Sequence, residues 1–371
     1  MIVQLDAQAA VGPRAGVGRY VEGLARHLGP AASAGDSVRL FFFDFRRRGL
    51  PFATPGLEAA PCRWLPGRAV QQAWKRLGWP PADAFAPPAD VYHFPNFVRP
   101  PLRRGRSVVT IHDLAFLRYP ASVESRNLAH LNAQVRASCA RADAVIAVSA
   151  AMAAEIAGDL GVPADRVFAV HSGISRELRA PPAERVRAWR RARGLDRPYL
   201  LTVGTIEPRK NIPFLVEVFE RMKDFDGDLV LAGMPGWKTE PIFARIAASP
   251  RAARIRQLRY VPEAELPALY AGAEAFVFPT LYEGFGFPPL EAMACGTPVI
   301  ASRGGALPEV LGDAAELRDT DDPDAWAAAV TRTLADSEAR AQRVDAGRRQ
   351  AARYDWAATA RATWEVYRAC R

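Results

Sequence analysis

Two α/β domains in tandem, each a doubly wound parallel sheet, are what this sequence predicts, on three observations. The chain has 371 residues, too many for one small core and suited to two domains of ordinary size. Short apolar, β-branched runs alternate with stretches of helical period, and that alternation starts twice. Between the two series lies an arginine-rich stretch, residues 175–197, with Pro181, Pro182 and six arginines from Arg185 to Arg197. The expected bounds are 1–180 for the first domain, 181–197 for a linker, 198–353 for the second domain and 354–371 for a final helix.

Bulk numbers narrow the class. Apolar residues make up 49% of the chain and charged residues 24%, the balance of a soluble globular protein. No run of eighteen uncharged apolar residues occurs, which argues against a spanning helix. The start, MIVQLDAQAAVG, lacks a basic region and a long apolar core, so a first strand is expected there and not a signal peptide. Cys62, Cys139, Cys295 and Cys370 are scattered without metal-ligand spacing. Reduced thiols in a cytoplasmic protein are the expectation.

The net charge of +9 is uneven. Residues 1–180 hold 22 Lys and Arg against 14 Asp and Glu, giving +8, and the rest holds 27 against 26, giving +1. A basic first half suits an anionic membrane surface, a phosphate-bearing acceptor or nucleic acid, and an arginine-rich overall composition would also produce it. No recognition helix, zinc spacing or aromatic RNA motif accompanies the charge, so no nucleic-acid partner is expected.

In chain order, residues 3–5 form a first strand, followed by the glycine loop 12–18 and a helix carrying Tyr20, Val21, Leu24 and Leu28. Loop amides can hold an anion there, or the loop is a tight turn. It is not the dinucleotide fingerprint, because Val21 stands where a third glycine or alanine belongs. Residues 38–44 form the second strand, with Arg46, Arg47 and Arg48 behind it. Trp74 and Trp79 flank Lys75 and Arg76, a pattern that serves either a lipid interface or packing against the domain. Residues 90–94 and 107–111 are buried strands. The second ends in His112 and Asp113, where ligands bind in an α/β sheet. His112 there is a general base, a hydrogen-bond partner for substrate, or a cap. Residues 122–141 form a helix, 144–148 a strand, Ser149 an N-cap and 167–170 a further strand.

The second series opens with a strand at 199–203 and the loop 204–211, where Arg209 and Lys210 stand together at a strand's carboxyl end. Paired cations there suit a diphosphate, or are a solvated pair. Strands at 229–232 and 255–261 and a short helix at 263–271 follow. The acidic run 319–322 precedes a helix starting near Pro323 and reads as capping, not metal binding. From Pro323 the chain is helical to its end, with a break near Tyr354, Asp355 and Trp356.

The second series is organised around residues 276–298, FVFPTLYEGFGFPPLEAMACGTP. A buried strand leads through Glu283, Gly284, Phe285, Gly286 and Phe287 into a short helix containing Glu291. Glycines let backbone approach a ligand, and a helix start favours an anion. Carboxylates repel phosphate, so Glu283 and Glu291 are better used as acceptors for hydroxyls on either side of it. A diphosphate with a sugar at each end fits this layout. A strand–loop–helix joint with two solvated glutamates would show the same spacing.

These residues resemble the Glu, seven residues, Glu signature of the retaining glycosyltransferases of family four, which have the GT-B fold. The likeness runs on through Gly296, Thr297, Pro298, Val299, Ile300 and Ala301 to Gly304, Gly305, Pro308 and Glu309. It implies two Rossmann-like domains facing across a cleft, with the last helix crossing back onto the first domain through Trp356, Trp364 and Tyr367. By the same resemblance, Gly16 and Gly18 belong to a loop closing over the donor diphosphate, and His112 stands beside donor sugar and acceptor. Lys210 matches the family's lysine, and the turn at Val261 resembles its base-binding segment. The family commonly has Gly-Arg after the strand, where this chain has Gly204 and Thr205, so Arg209 takes over that arginine's work. This local pattern is similar to the bacterial polysaccharide mannosyl- and rhamnosyltransferase branch.

What the resemblance implies is transfer of a hexose, mannose or a deoxyhexose, from a nucleoside-diphosphate sugar with retention. GDP-mannose is the leading donor, and a saccharide or lipid-linked saccharide of cell-surface polysaccharide or lipopolysaccharide synthesis is the acceptor. His112, Arg209, Lys210 and Glu283 are the expected catalytic residues. Gly16, Gly18, Gly204, Val261, Gly284, Phe285, Gly286, Phe287 and Glu291 bind the donor with them, Glu291 on the ribose. Arg209 and Lys210 replace the metal that other transferases use, so neither metal nor cofactor is expected. The enzyme is expected in the cytoplasm, with peripheral attachment to the inner face of the membrane. An epimerase or phosphorylase of the same fold would instead turn over donor without acceptor or depend on pyridoxal phosphate. A non-catalytic scaffold would bind donor without turnover.

Overall fold

The alternating runs pair side by side into two parallel sheets in the computed structural model, which describes residues 1–12, 16–54 and 56–370. Residues 13–15 of the first glycine loop lie outside the described residues. The chain divides into two units. One comprises Met1–Leu114, Ala129–Gly173 and Tyr354–Arg371, the other Ala115–Leu128 and Ile174–Arg353.

The first unit holds β1 (Ile2–Asp6), β2 (Ser37–Phe43), β3 (Glu58–Cys62), β4 (Val91–Phe94), β5 (Arg106–Ile111), β6 (Ala144–Ala147) and β7 (Val167–Ala169). They lie in the order β3-β2-β1-β4-β5-β6-β7, every pairing parallel. Strands β4 and β6 are buried at every position, which is why they read as unbroken apolar runs rather than alternating ones. The chain builds outward from β1 to β3, then returns to set β4 on the other side of β1. That reversal opens a crevice beyond the carboxyl ends of β1 and β4.

The second unit holds β8 (Tyr199–Val203), β9 (Asp228–Ala232), β10 (Ile255–Leu258), β11 (Ala275–Phe278), β12 (Val299–Ser302) and β13 (Glu316–Arg318). Their order is β10-β9-β8-β11-β12-β13, again parallel throughout. The same reversal falls between β8 and β11. Leu200, Leu229, Leu231, Val277 and Ile300 of this sheet form one core with Leu215, Phe219, Trp326 and Val330 from the covering helices. Burying a side chain of that size contributes about 1.5–3 kcal/mol each.

Three strands differ from expectation. Strand β3 carries Pro61, a poor strand residue that the edge position tolerates because its missing N–H faces no further strand. Strands β12 and β13 are short, and their sequences carry no alternation. The helix expected over 122–141 runs Ser125–Arg141, after a single turn at Pro120–Ser122. The helical end of the chain breaks a second time, at Asp336, whose carboxylate accepts the Glu338 and Ala339 amides. Asp322 caps Pro323–Ala335 in the same way, taking the Asp324 and Ala325 amides, and Ser149 accepts from Met152. The four cysteines are buried and free. Among the described residues, no helix is long and apolar enough to cross a membrane.

The final helix, Trp356–Ala369, belongs to the first unit and packs on the helix Gly16–Leu28. Trp364 Nε1 donates to the Leu28 carbonyl at 3.0 Å. The Tyr367 hydroxyl and the Thr110 hydroxyl each lie 2.7 Å from a ring nitrogen of His93. Burial, with a smaller contribution from His112, pushes His93 down to about 3, so it is neutral. Gly23 permits the helix contact, since a Cβ there would fall 2.2 Å from Cε2 of Trp356. Gly23→Ala is therefore expected to destabilise the fold by about 1–3 kcal/mol. Urea melts measure this, and an unchanged midpoint would show that the indole moves aside freely.

Candidate active site

The strand reversal in the second unit sets the loop after β8 beside the loop after β11, and the charged residues of both converge there. Gly204 leaves β8 at a φ of 150° and Gly233 leaves β9 at 154°. A Cβ on Gly233 would sit 1.9 Å from the Gly204 carbonyl, so the two loop starts touch backbone to backbone. The Pro208–Lys210 turn follows, closed by Asn211 in the left-handed region (φ 54°). That turn aims Arg209 and Lys210 back across the sheet end toward β11.

Glu283 receives both cations. Arg209 Nη1 lies 2.8 Å from Glu283 Oε1, Lys210 Nζ donates to the same oxygen, and the Thr280 hydroxyl donates to it at 3.0 Å. Arg209 is held further by the Glu207 carboxylate (Nη2 to Oε1, 2.6 Å) and the Tyr282 carbonyl (2.6 Å). The Leu281 amide donates to the Arg209 carbonyl at 2.8 Å, tying the two loops together. The side chains of Glu207, Arg209, Lys210 and Glu283 are only 3–14% exposed. Lys210 also lies 5.0 Å from the centre of the Phe278 ring.

Burial alone would raise the Glu283 carboxyl, but Arg209 and Lys210 override it and hold it below the ordinary value of 4.5. Glu283 is thus a carboxylate across the physiological range. Two carboxylates offset two cations, so the four-residue cluster is neutral.

The other predicted positions fall as follows. The Ala306 amide donates to the Glu283 carbonyl at 2.8 Å, and Glu283 bridges to Gly305, so the loop lies flat on Gly304 and Gly305. Gly286, at φ 110°, starts the helix Phe287–Ala294. Pro288 and Pro289 remove two first-turn N–H groups. Phe285 and Phe287 pack edge to face, centroids 5.1 Å apart. Glu291 is not in the ion cluster. It is 1% exposed and accepts the Tyr270 hydroxyl at 2.7 Å, while the Tyr270 carbonyl accepts from Thr297 at 2.6 Å. Val261 is buried in the loop after β10.

Gly16, Gly18 and His112 lie in the first unit. Gly16 is exposed at the start of its helix and Gly18 is buried in the first turn. The His112 ring stands edge-on to Tyr20 of that helix, centroids 4.8 Å apart, and Nε2 lies 2.8 Å from the Pro95 carbonyl. Burial lowers its pKa, partly offset by that hydrogen bond and Asp113, which favours the neutral imidazole.

Glu207, Thr280 and Tyr270 were not among the predicted site residues. The signal for Glu207 was present, as an acidic residue two positions before a cation, but that spacing is common on solvated turns. Among the described residues, no cluster of three or more His, Cys, Asp or Glu could hold a metal ion.

The comparisons agree on the lineage. The family model Glycosyltransferase Family 4 matches residues 14–178 and Glycosyl transferases group 1 matches residues 186–350. The O-antigen chain mannosyltransferase B of Escherichia coli is 35% identical over 273 residues, 72% of this chain and 71% of that protein. The chain belongs to glycosyltransferase family 4. A second relative of this family-4 glycosyltransferase is the MMP alpha-(1->4)-mannosyltransferase of Mycolicibacterium hassiacum, 34% identical over 231 residues, 60% of this chain and 53% of that one. Sucrose-phosphate synthase from Thermosynechococcus elongatus has a similar structure, with a TM-score of 0.78 at 22% identity over 99% of this chain and 98% of that one. The two parallel-sheet units are those of the GT-B fold.

The cluster makes a prediction about acid stability in this transferase. A carboxylate held below its ordinary pKa contributes stability above about pH 4.5 that is lost as pH falls through its lowered value. Glu283→Gln is expected to cost about 3 kcal/mol at pH 7 by leaving two buried cations with one carboxylate, and to flatten the loss of stability below 4.5. Denaturant melts between pH 3 and pH 7 (about four pH units) measure both, and parallel curves would mean the pairing contributes nothing.

Proposed function

We propose that this chain transfers mannose, from GDP-mannose, with retention and without a metal, to a saccharide acceptor in cell-surface polysaccharide synthesis. The observation that carries this reading is the convergence of Arg209 and Lys210 on Glu283 where the strand order reverses. The sugar is suggested by the two relatives, both named as mannosyltransferases.

In this reading the donor diphosphate takes over Lys210 and Nη1 of Arg209 from Glu283, while Glu207 keeps Arg209 in place. Glu283 then accepts hydroxyls of the sugar. Amides of Gly284, Phe285, Gly286 and Phe287 run along sugar and phosphates, Glu291 holds the ribose with Tyr270 fixing its carboxylate, and Gly204 and Val261 border phosphate and base. Gly16 and Gly18 cover the diphosphate, and His112 stands beside donor sugar and acceptor. The acceptor oxygen attacks the anomeric carbon from the face the phosphate leaves. The carbon–oxygen bond to phosphate breaks, and the acceptor proton passes to the departing phosphate oxygen. Charge on that oxygen is greatest late in the step, where Arg209 and Lys210 act without solvent reorganisation.

A panel of nucleotide sugars tests the donor, with GDP-mannose expected to raise Tm most. Lys210→Ala is expected to lower kcat by about 10²-fold and donor affinity by less than about 10-fold, and chelator is expected to leave turnover intact. Equal losses in kcat and affinity would reduce Lys210 to ground-state binding, and activity abolished by chelator would overturn the metal-free reading.

The same proposal places the enzyme in the cytoplasm, against the inner face of an anionic membrane. Phe45, Trp64, Leu77 and Trp79 are 56–74% exposed, close in sequence to Arg46, Arg47, Arg48, Lys75 and Arg76, and together they fit an interface of apolar and anionic groups. Trp74 instead packs on Phe43 and Phe85. Sedimentation with anionic phospholipid vesicles is expected, and about 1 M salt, where the Debye length is ~3 Å, is expected to release the protein. Absent or salt-independent binding would remove the membrane from the proposal.

A further inference from the structure

The first sheet has its own strand reversal, between β1 and β4, and a cavity of about 470 Å³ lies there. Asp6 and Gln8 reach it from the end of β1, Asn96 and Arg99 from the segment after β4. Trp74 and Lys75 close it from the helix Gly67–Leu77, and Arg141 from the end of the helix Ser125–Arg141. All of these belong to the first unit.

We infer that this cavity seats the acceptor, and that the acceptor is an anionic saccharide, a pyranose ring carrying a phosphate or diphosphate. The ring and its hydroxyls are served by an indole, three amide or carboxyl side chains and a half-buried wall. The anion is served by three cations against one carboxylate. Among the described residues, none of Lys75, Arg99 and Arg141 forms an ion pair; Arg99 Nε donates to the Ser107 hydroxyl at 2.9 Å and Arg141 Nε to the Ala137 carbonyl at 3.0 Å. The indole is fixed for stacking, its Nε1 donating to the Pro80 carbonyl at 2.6 Å and its ring wedged against Phe43 and Phe85. Gln8 is fixed too, its Oε1 accepting the Phe43 amide at 2.8 Å. Among the described residues, Asp6 accepts only the Gln8 amide, at 2.9 Å, and burial pushes its carboxyl up to about 6. Half-buried at the end of β1, this carboxyl stands where hydroxyl donors from a sugar can reach it.

This inference rests on the transferase reading and names its acceptor class. Calorimetric titration of the full chain, with no donor present, tests it using mannose 1-phosphate, methyl α-mannoside and inorganic phosphate. The sugar phosphate is expected to bind at least about 10-fold more tightly than either fragment, the difference one charge-assisted hydrogen bond makes. Trp74→Ala, Lys75→Ala and Arg141→Gln are each expected to weaken it by about 10-fold while leaving nucleoside-diphosphate binding unchanged. The exposed positions of Lys75 and Arg141 make their variants safe to fold. Equal binding by wild type and variants, or equal binding of the neutral glycoside, would overturn the assignment, and phosphate binding as well as the sugar phosphate would reduce the cavity to an anion site. A long-chain alkyl ester of mannose 1-phosphate that binds more tightly than the free compound assigns the anion to a lipid linker, and one that does not assigns it to a soluble sugar phosphate. Turnover with GDP-mannose and no binding here sinks the cavity alone; binding here with no turnover sinks the transferase reading alone.

Discussion

Two cations sharing one carboxylate oxygen, out of water, are the interaction on which the second unit turns. Arg209 and Lys210 meet Glu283 because a parallel sheet that reverses its strand order must leave two loops side by side at its carboxyl edge. The pairing is not a device for stability. Desolvating such groups is costly, and apolar residues of similar volume would hold the loops together as well or better. What the cluster provides is preorganisation, with two positive groups already stripped of water and aimed at one point. Glu207 sharpens this, because it grips one edge of the Arg209 fork and leaves the fork's direction fixed whatever happens at the other edge.

The first unit uses the same topological device with the opposite electrostatic balance. Beyond β8 and β11 the charges cancel internally, so a ligand there must exchange partners with Glu283. Beyond β1 and β4 the cations outnumber the carboxylate, so an anion there need displace no carboxylate from them. An exchange site discriminates between ligands by what it releases, while an open site discriminates by shape and by the polar groups its walls hold still.

Much of this was legible in the sequence because local patterns carry it. Strands buried on both faces, such as β6 and β11, are unbroken apolar runs, and loops that need a positive φ take glycine, as at Gly204 and Gly286. That Arg209, Lys210 and Glu283 belong to one site followed from the resemblance, but their direct pairing did not, since the cations were expected to face a diphosphate and Glu283 sugar hydroxyls. Glu207 was not singled out, because an acidic residue two positions before a cation is common on solvated turns and no spacing rule reports where a guanidinium folds back. Nor was Tyr270, which reaches Glu291 from another helix. Strand β3 was hidden by Pro61, a residue that forbids a central strand and is harmless on an edge. The cavity has no sequence signature at all, since its walls come from positions as far apart as Asp6 and Arg141.

Asp6 shows how a feature invisible to pattern can still be argued. Its position ends a buried strand, where most strands of this chain end in an apolar residue, such as Phe94, Ile111 and Ala147. A carboxyl there is raised to about 6 by burial and is answered by one backbone amide. Natural sequences keep such local conflicts mainly where a ligand resolves them. The neighbouring Gln8 and Trp74 are tied down by the protein's own groups, which removes their freedom before any ligand arrives and so lowers the entropy a ligand must overcome. A half-buried carboxyl beside immobilised partners gives a ligand a fixed wall and an acceptor it can reach.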